Sequence, residues 1–178
     1  MPESNGDLPW GGGSGVLPSW VYRGEVTSVR ILTIRESAWL NSSSGRVWEK
    51  LETVDLWPSW HGGINDVHWR GRIGLRPGHR FLLTGPGANA PYLRGGRVIA
   101  VDGGRSFFWS AGIGPARAQL GLTLDEDGCG TLVQFHAEFR GWATRWVATE
   151  TRVNQLRLFQ RSFLQMLRES VERVGSPG

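Results

Sequence analysis

Apolar positions along this chain change their period three times, and each change predicts a different kind of element. Trp20 to Leu40 are rich in Val, Ile, Thr and aromatic residues and lack proline, which predicts extended chain ending in a strand near Ile31 to Leu40. Ser42, Ser43 and Ser44 then offer N-cap oxygens, and Val47, Trp48, Leu51 and Val54 recur at helical spacing, so a short helix follows. Pro58 cannot continue that helix in register and is tolerated in a first turn, so a second short helix starts near it and stops at Gly62-Gly63.

Six strand signals come next, at 64–73, 79–84, 95–101, 106–112, 116–124 and 131–141. They are separated by "RPGH", "GPGANAPY", "DGGR" and "DEDGCG" turn chemistry, which predicts an antiparallel meander. From Ala143 to Val174 there is no Gly or Pro, and Val153, Leu156, Phe159, Phe163, Met166 or Leu167, and Val171 keep a three- or four-residue spacing. One long amphipathic helix is expected there. The fold class is therefore α+β, a curved seven-stranded antiparallel sheet with a long C-terminal helix across it and two short helices after the first strand. Such a helix does not fill the concave side of a curved sheet, so an internal hydrophobic cavity is the expected place for a ligand.

Composition narrows this picture. The chain has 178 residues and ten tryptophans, enough for one core, and reads as a single domain over residues 20–174. The Gly, Pro and Ser-rich residues 1–19 and the short end 175–178 are expected to be tails. No apolar run approaches the ~20 residues of a membrane span, so no membrane partner and a cytoplasmic location are expected. Cys129 is the single cysteine, which excludes an internal disulfide and a cysteine-based zinc site. The net charge of +4 reflects arginine in place of lysine, with Lys50 the single lysine. Because the arginines spread from Arg23 to Arg173 without forming a basic tail, no nucleic-acid partner is expected.

The segment "WPSWHGGINDVHW", Trp57 to Trp69, concentrates the candidate chemistry. Strand alternation sets Asn65, Val67 and Trp69 inward and Asp66, His68 and Arg70 outward. His61 and His68 therefore lack a common third ligand, and no metal is expected. Trp57, Trp60 and Trp69 read as the wall of a ligand pocket. Asn65 either caps the Gly62-Gly63 turn or offers its amide to a ligand carbonyl. His61, at the end of the second helix, is either an acid or base near neutral pH or a solvated helix-end histidine. Tyr92 lies in a loop that can present its phenol to the pocket or pack on the sheet edge. Trp109 shares a face with Phe107 that serves either core packing or ligand stacking. On the last strand Val133, Phe135, Ala137 and Phe139 face inward, and His136 falls on the solvated face.

In this order and spacing, four segments resemble the START/SRPBCC superfamily and its polyketide cyclase/dehydratase-like branch. They are "SSSGRVWEKLETVDLWPSW" (Ser42 to Trp60), "LRPGHRF" (Leu75 to Phe81), "GRVIAVDGGRSFFW" (Gly96 to Trp109) and "DGCGTLVQFHAEFRG" (Asp127 to Gly141). The resemblance implies the helix-grip fold. It also implies cofactor-free binding of a polyketide-like or polycyclic hydrophobic molecule, with cyclisation or dehydration as the reaction class, in a monomer or homodimer. Trp146, Glu150 and Asn154 lie where similar proteins open their cavity, Glu150 being either a desolvated carboxylate or a charge on the helix N-terminus. With His61 and Asn65, Glu150 completes the set of candidate catalytic residues. The sequence departs from the best-studied aromatase/cyclases in not clearly placing an arginine and paired tryptophans inside; Arg97 can face either way. A carrier or sensor of a hydrophobic ligand is the alternative. A third reading, an interaction module, predicts a filled interior and an exposed apolar or charged patch on the outer sheet.

Overall fold

The computed structural model describes residues 31–88, 94–113, 116–140, 144 and 149–173. Its frame is one antiparallel sheet of seven strands in the order β1-β7-β6-β5-β4-β3-β2. These are β1 (Ile31–Leu40), β2 (Asp66–Trp69), β3 (Arg80–Thr84), β4 (Gly95–Asp102), β5 (Ser106–Ile113), β6 (Ala116–Glu126) and β7 (Thr131–Arg140). Because β1 pairs with β7, the first strand joins the far end of a meander that runs from β2 to β7.

Alternation fixes which side is inside. In β7, Val133, Phe135, Ala137 and Phe139 are buried as the sequence predicts, together with Thr131, while their neighbours are half-buried and not the fully solvated face expected. The β4–β5 register slips between Val98 and Ala100, a bulge that bends the strand locally. At Gly96 the sheet admits no side chain, since a Cβ there would lie 1.9 Å from the Ser110 carbonyl oxygen.

Helix α1 (Ser44–Glu52) buries Val47, Trp48 and Leu51. Ser43 is its N-cap residue but makes no side-chain cap bond, against the expected hydroxyl caps. Ser44 instead donates to the Glu126 carboxylate, tying α1 to the end of β6. A 3-10 turn at Val54–Leu56 leads into α2 (Trp57–Trp60), with Pro58 in its first turn as expected.

Two elements are shorter than the sequence predicts. The 64–73 strand contracts to the four residues of β2, because beyond Trp69 the chain leaves the ladder for turns at Gly71 and Gly74, both of positive φ. The long helix, α3 (Glu150–Glu172), has 23 residues and does not run unbroken from Ala143, because Thr149 has extended backbone (φ −70°, ψ 145°). β-Branched Thr149 stands at the N-cap position and acidic Glu150 in the first turn, an arrangement suited to a helix start. The face of α3 bearing Leu156, Phe159, Phe163, Leu164, Leu167 and Val171 is buried, and the helix packs against β1, β7, α1 and α2.

Candidate functional site

The inner side of the sheet meets α2 and α3 in a cluster of rings centred on Trp57. This side chain is 1% exposed and donates from Nε1 to the Leu51 carbonyl at 3.1 Å. Its ring centroid lies 5.2 Å from Phe163, 6.1 Å from Phe107, 6.2 Å from Trp60, 6.3 Å from Phe81 and 6.5 Å from Trp109. Phe107 and Trp109 stack at 5.2 Å, so the face they share packs the interior.

His61 is built into this cluster. It is the C-cap residue of α2 and only 1% exposed, so burial replaces the solvated position open to a helix-end histidine. Its ring sits 5.3 Å from Phe163, 5.5 Å from Phe159 and 5.9 Å from Trp60. Burial pushes the His61 pKa below its ordinary value, and a backbone hydrogen bond opposes that shift. The Gly63 N–H donates to His61 Nδ1 at 3.1 Å, so Nδ1 is the acceptor nitrogen and the neutral ring carries its proton on Nε2.

That Nε2 is buried and has no hydrogen-bond partner among the described residues. The same holds for Trp60 Nε1, Trp109 Nε1 and Gln160 Oε1. Gln160, on α3, uses its Nε2 to donate to the Phe135 carbonyl at 3.2 Å. Three N–H donors and one carbonyl acceptor thus stand unpaired around one aromatic cluster. Buried polar groups are ordinarily satisfied by protein, water or ligand, so these four atoms are unspent hydrogen-bonding capacity in the interior.

The Gly62-Gly63 step owes its conformation to glycines elsewhere. Gly87 N–H donates to the Gly63 carbonyl at 2.8 Å, and a Cβ at Gly85 would lie 2.5 Å from that same oxygen. A Cβ at Gly63 would come within 3.0 Å of the His61 ring. Gly63, Gly85 and Gly87 therefore position the histidine, a role the "GPGANAPY" signal suggested only as turn chemistry.

The remaining candidates are dispersed. Asn65 is exposed and not inward, because β2 begins only at Asp66 and Asn65 precedes the pleat; its N–H donates to the Thr84 carbonyl at 2.7 Å. Trp69 is half-buried and donates from Nε1 to Asp55 Oδ1 at 2.7 Å. His68 is exposed beside Asp66. Glu150 and Asn154 are exposed on the first turns of α3, Glu150 in the acidic position at the helix start. Tyr92 and Trp146 lie outside the described residues. Arg97 is exposed, opposite Ser110 and away from the inward Val98–Trp109 pair, so it faces out. His136 is half-buried on the outer face, with Nε2 at 3.1 Å from Thr123 Oγ1, and burial lowers its pKa with the Arg35 charge adding to the effect. Its cross-strand neighbour Gly121 lies under the Phe108 ring, so the outer face there is less solvated than alternation suggests. Among the described residues there is no group of three His, Cys, Asp or Glu that could hold a metal, and no helix long and apolar enough to cross a membrane.

No family model matches this chain, and no curated protein matches it. Solved structures do. A norcoclaurine synthase from Thalictrum flavum, a point mutant bound to a transition-state analogue, aligns with a TM-score of 0.65 at 12% identity, over 85% of this chain and 100% of that one. Protein MLL2253 from Mesorhizobium loti aligns with a TM-score of 0.60 at 17% identity, over 82% of this chain and 100% of that one. The di-domain aromatase/cyclase StfQ of the steffimycin pathway aligns with a TM-score of 0.58 at 11% identity, over 82% of this chain and 53% of that one. At these identities the likeness is one of architecture: the chain has the helix-grip fold, as its sequence resemblance implies.

Proposed function

We propose that this protein binds a hydrophobic, oxygen-bearing small molecule of polyketide-like or polycyclic type between the sheet and α3, and promotes its cyclisation or dehydration. The observation that carries the reading is His61 Nε2, an N–H donor held among aromatic rings with nothing to donate to among the described residues. With Trp60 and Trp109 it offers three N–H groups, which fits a ligand displaying carbonyl oxygens on an apolar frame. A donor fixed in a dry site polarises a ligand carbonyl without reorganising, and ring walls hold a flexible chain in a folded, near-attack shape. No cofactor is needed for that chemistry.

A second reading has its own support. Among the described buried side chains His61 is the sole titratable group, whereas proton shuttling by a matched acid and base needs two. A carrier needs a single orienting donor, so a protein that holds the same ligand unchanged is the alternative.

Thermal-shift and native mass-spectrometry measurements against polycyclic aromatics, linear polyketide mimics and fatty acids test both. The proposal expects oxygenated polycyclic or polyketide-like ligands to raise Tm in the wild type and to bind at least tenfold more weakly to a folded His61→Phe variant. Recovery of a changed product after incubation supports the enzyme, and recovery of unchanged ligand supports the carrier. Equal binding in both proteins would remove His61 from the site.

A further inference from the structure

The outer face of the sheet carries a basic groove whose lining also includes Phe81, a ring of the interior cluster. Arg70, Arg80, Arg94 and Arg97 surround an open groove of about 470 Å3, floored by Gly95 and Gly96 and bordered by Leu82 and Ser110. All four arginines are exposed, and none has an ion-pair or side-chain hydrogen-bond partner among the described residues. Among the described residues no acid lines the groove.

The sheet register makes this arrangement costly. Arg80 and Arg97 are directly opposite on β3 and β4, where like charges destabilise a sheet. The cross-strand row continues from Arg97 through Ser110 and Gln119 to Glu138, so the nearest acid in that row stands three strands away, roughly 14 Å. Glu138 is itself bonded to Arg140. Gly95 and Gly96 are demanded by close backbone contacts, since a Cβ on either would collide with a carbonyl oxygen of a neighbouring strand. The floor between the arginines is therefore bare backbone, open to a bulky anion.

We propose that this groove binds a diphosphate-bearing small ligand. Guanidinium forks match phosphoryl oxygens two by two, and their charge does not titrate near neutrality. Four of them can engage two adjacent phosphoryl groups from both sides, and a groove of about 470 Å3 also holds part of the organic group attached. Binding relieves the Arg80–Arg97 repulsion, so the site is stabilised by its occupant.

Inorganic pyrophosphate is the probe, added to the full chain at low and at moderate ionic strength, with orthophosphate, sulfate and a poly-glutamate peptide as comparators. Pyrophosphate is expected to raise Tm and to bind at least tenfold more tightly than orthophosphate or sulfate, with affinity falling as salt rises. Arg97→Ser is expected to raise the ligand-free Tm by about 1–3 °C, by removing the opposed charge, and to weaken pyrophosphate at least tenfold. Arg161→Ser, remote on α3 and paired with Glu36, leaves pyrophosphate binding unchanged. Absence of a pyrophosphate response at low salt overturns the proposal, as does equal binding by the Arg97→Ser protein. Capture of the acidic peptide in preference to pyrophosphate also overturns it, in favour of an acidic protein partner.

Discussion

The Gly63 backbone N–H donates to His61 Nδ1 across two residues, and this contact decides what the histidine offers the interior. With Nδ1 accepting, the neutral ring presents Nε2–H, and protonating it would break the Gly63 bond inside a cluster of rings. The pKa of His61 is lowered, mainly by burial, from its ordinary 6.5. Above about 6.5 the ring is neutral in both folded and unfolded chains; below it the unfolded chain takes a proton that the folded one resists. Stability therefore falls as pH drops from the unfolded pKa towards the folded one. His136 shifts the same way and adds to the slope. Tm measured between about pH 7 and pH 5 should decline in the wild type and decline less steeply in His61→Gln.

Glycines at two positions should respond oppositely to alanine. Gly45 lies in α1 with nothing within 4 Å of where a Cβ would stand, so Gly45→Ala should stabilise by about 0.5–1 kcal/mol through helix propensity. Gly85 has φ +135° and no room beside the Gly63 carbonyl, so Gly85→Ala should destabilise by roughly 1–3 kcal/mol. Because Gly63 also bonds His61, the Gly85 variant should shift the His61 imidazole resonances while Gly45→Ala leaves them in place. Urea denaturation and NMR of the histidine ring check the pair.

Asp55 and Trp69 join the 3-10 turn before α2 to the edge strand β2 through one side-chain bond. β2 has four residues and a single paired neighbour, β3, so this bond adds an anchor from outside the ladder. Asp55→Ala should cost about 1 kcal/mol and speed hydrogen exchange at Val67 and Trp69, while Asp55→Asn, which keeps an acceptor oxygen, should restore protection.

Much of the frame was legible because it is written in periods. The two-residue alternation of β7 and the three- and four-residue spacing of Leu156, Phe159, Phe163, Leu167 and Val171 depend on which side faces the core, and one core faces them all. The site was less legible because its geometry depends on distant backbone. His61 is buried by Phe159 and Phe163, about a hundred positions later in the chain, and no local pattern carries that contact. Asn65 escaped its inward assignment because alternation holds only inside a strand and β2 starts one residue later. The arginine groove was hidden in plain composition: Arg70, Arg80, Arg94 and Arg97 look dispersed along the chain and meet only through the β2–β3–β4 register.

Trp57 separates a structural wall from a ligand contact. It touches rings on α2, α3, β3 and β5 and spends its one donor on the Leu51 carbonyl. Trp109, beside it, is also buried but has an unspent donor. Truncating Trp57 to alanine should therefore cost about 3–5 kcal/mol, the range for a large buried aromatic, and broaden the near-ultraviolet circular dichroism of the whole cluster. Trp109→Phe keeps most of the ring volume and removes the unpaired N–H, so it should cost under about 1.5 kcal/mol while weakening an oxygen-bearing ligand. Urea denaturation of both variants, followed by thermal shift with the best ligand of the screen, distinguishes the roles. A Trp109→Phe protein that binds as tightly as the wild type would show that this N–H serves no ligand.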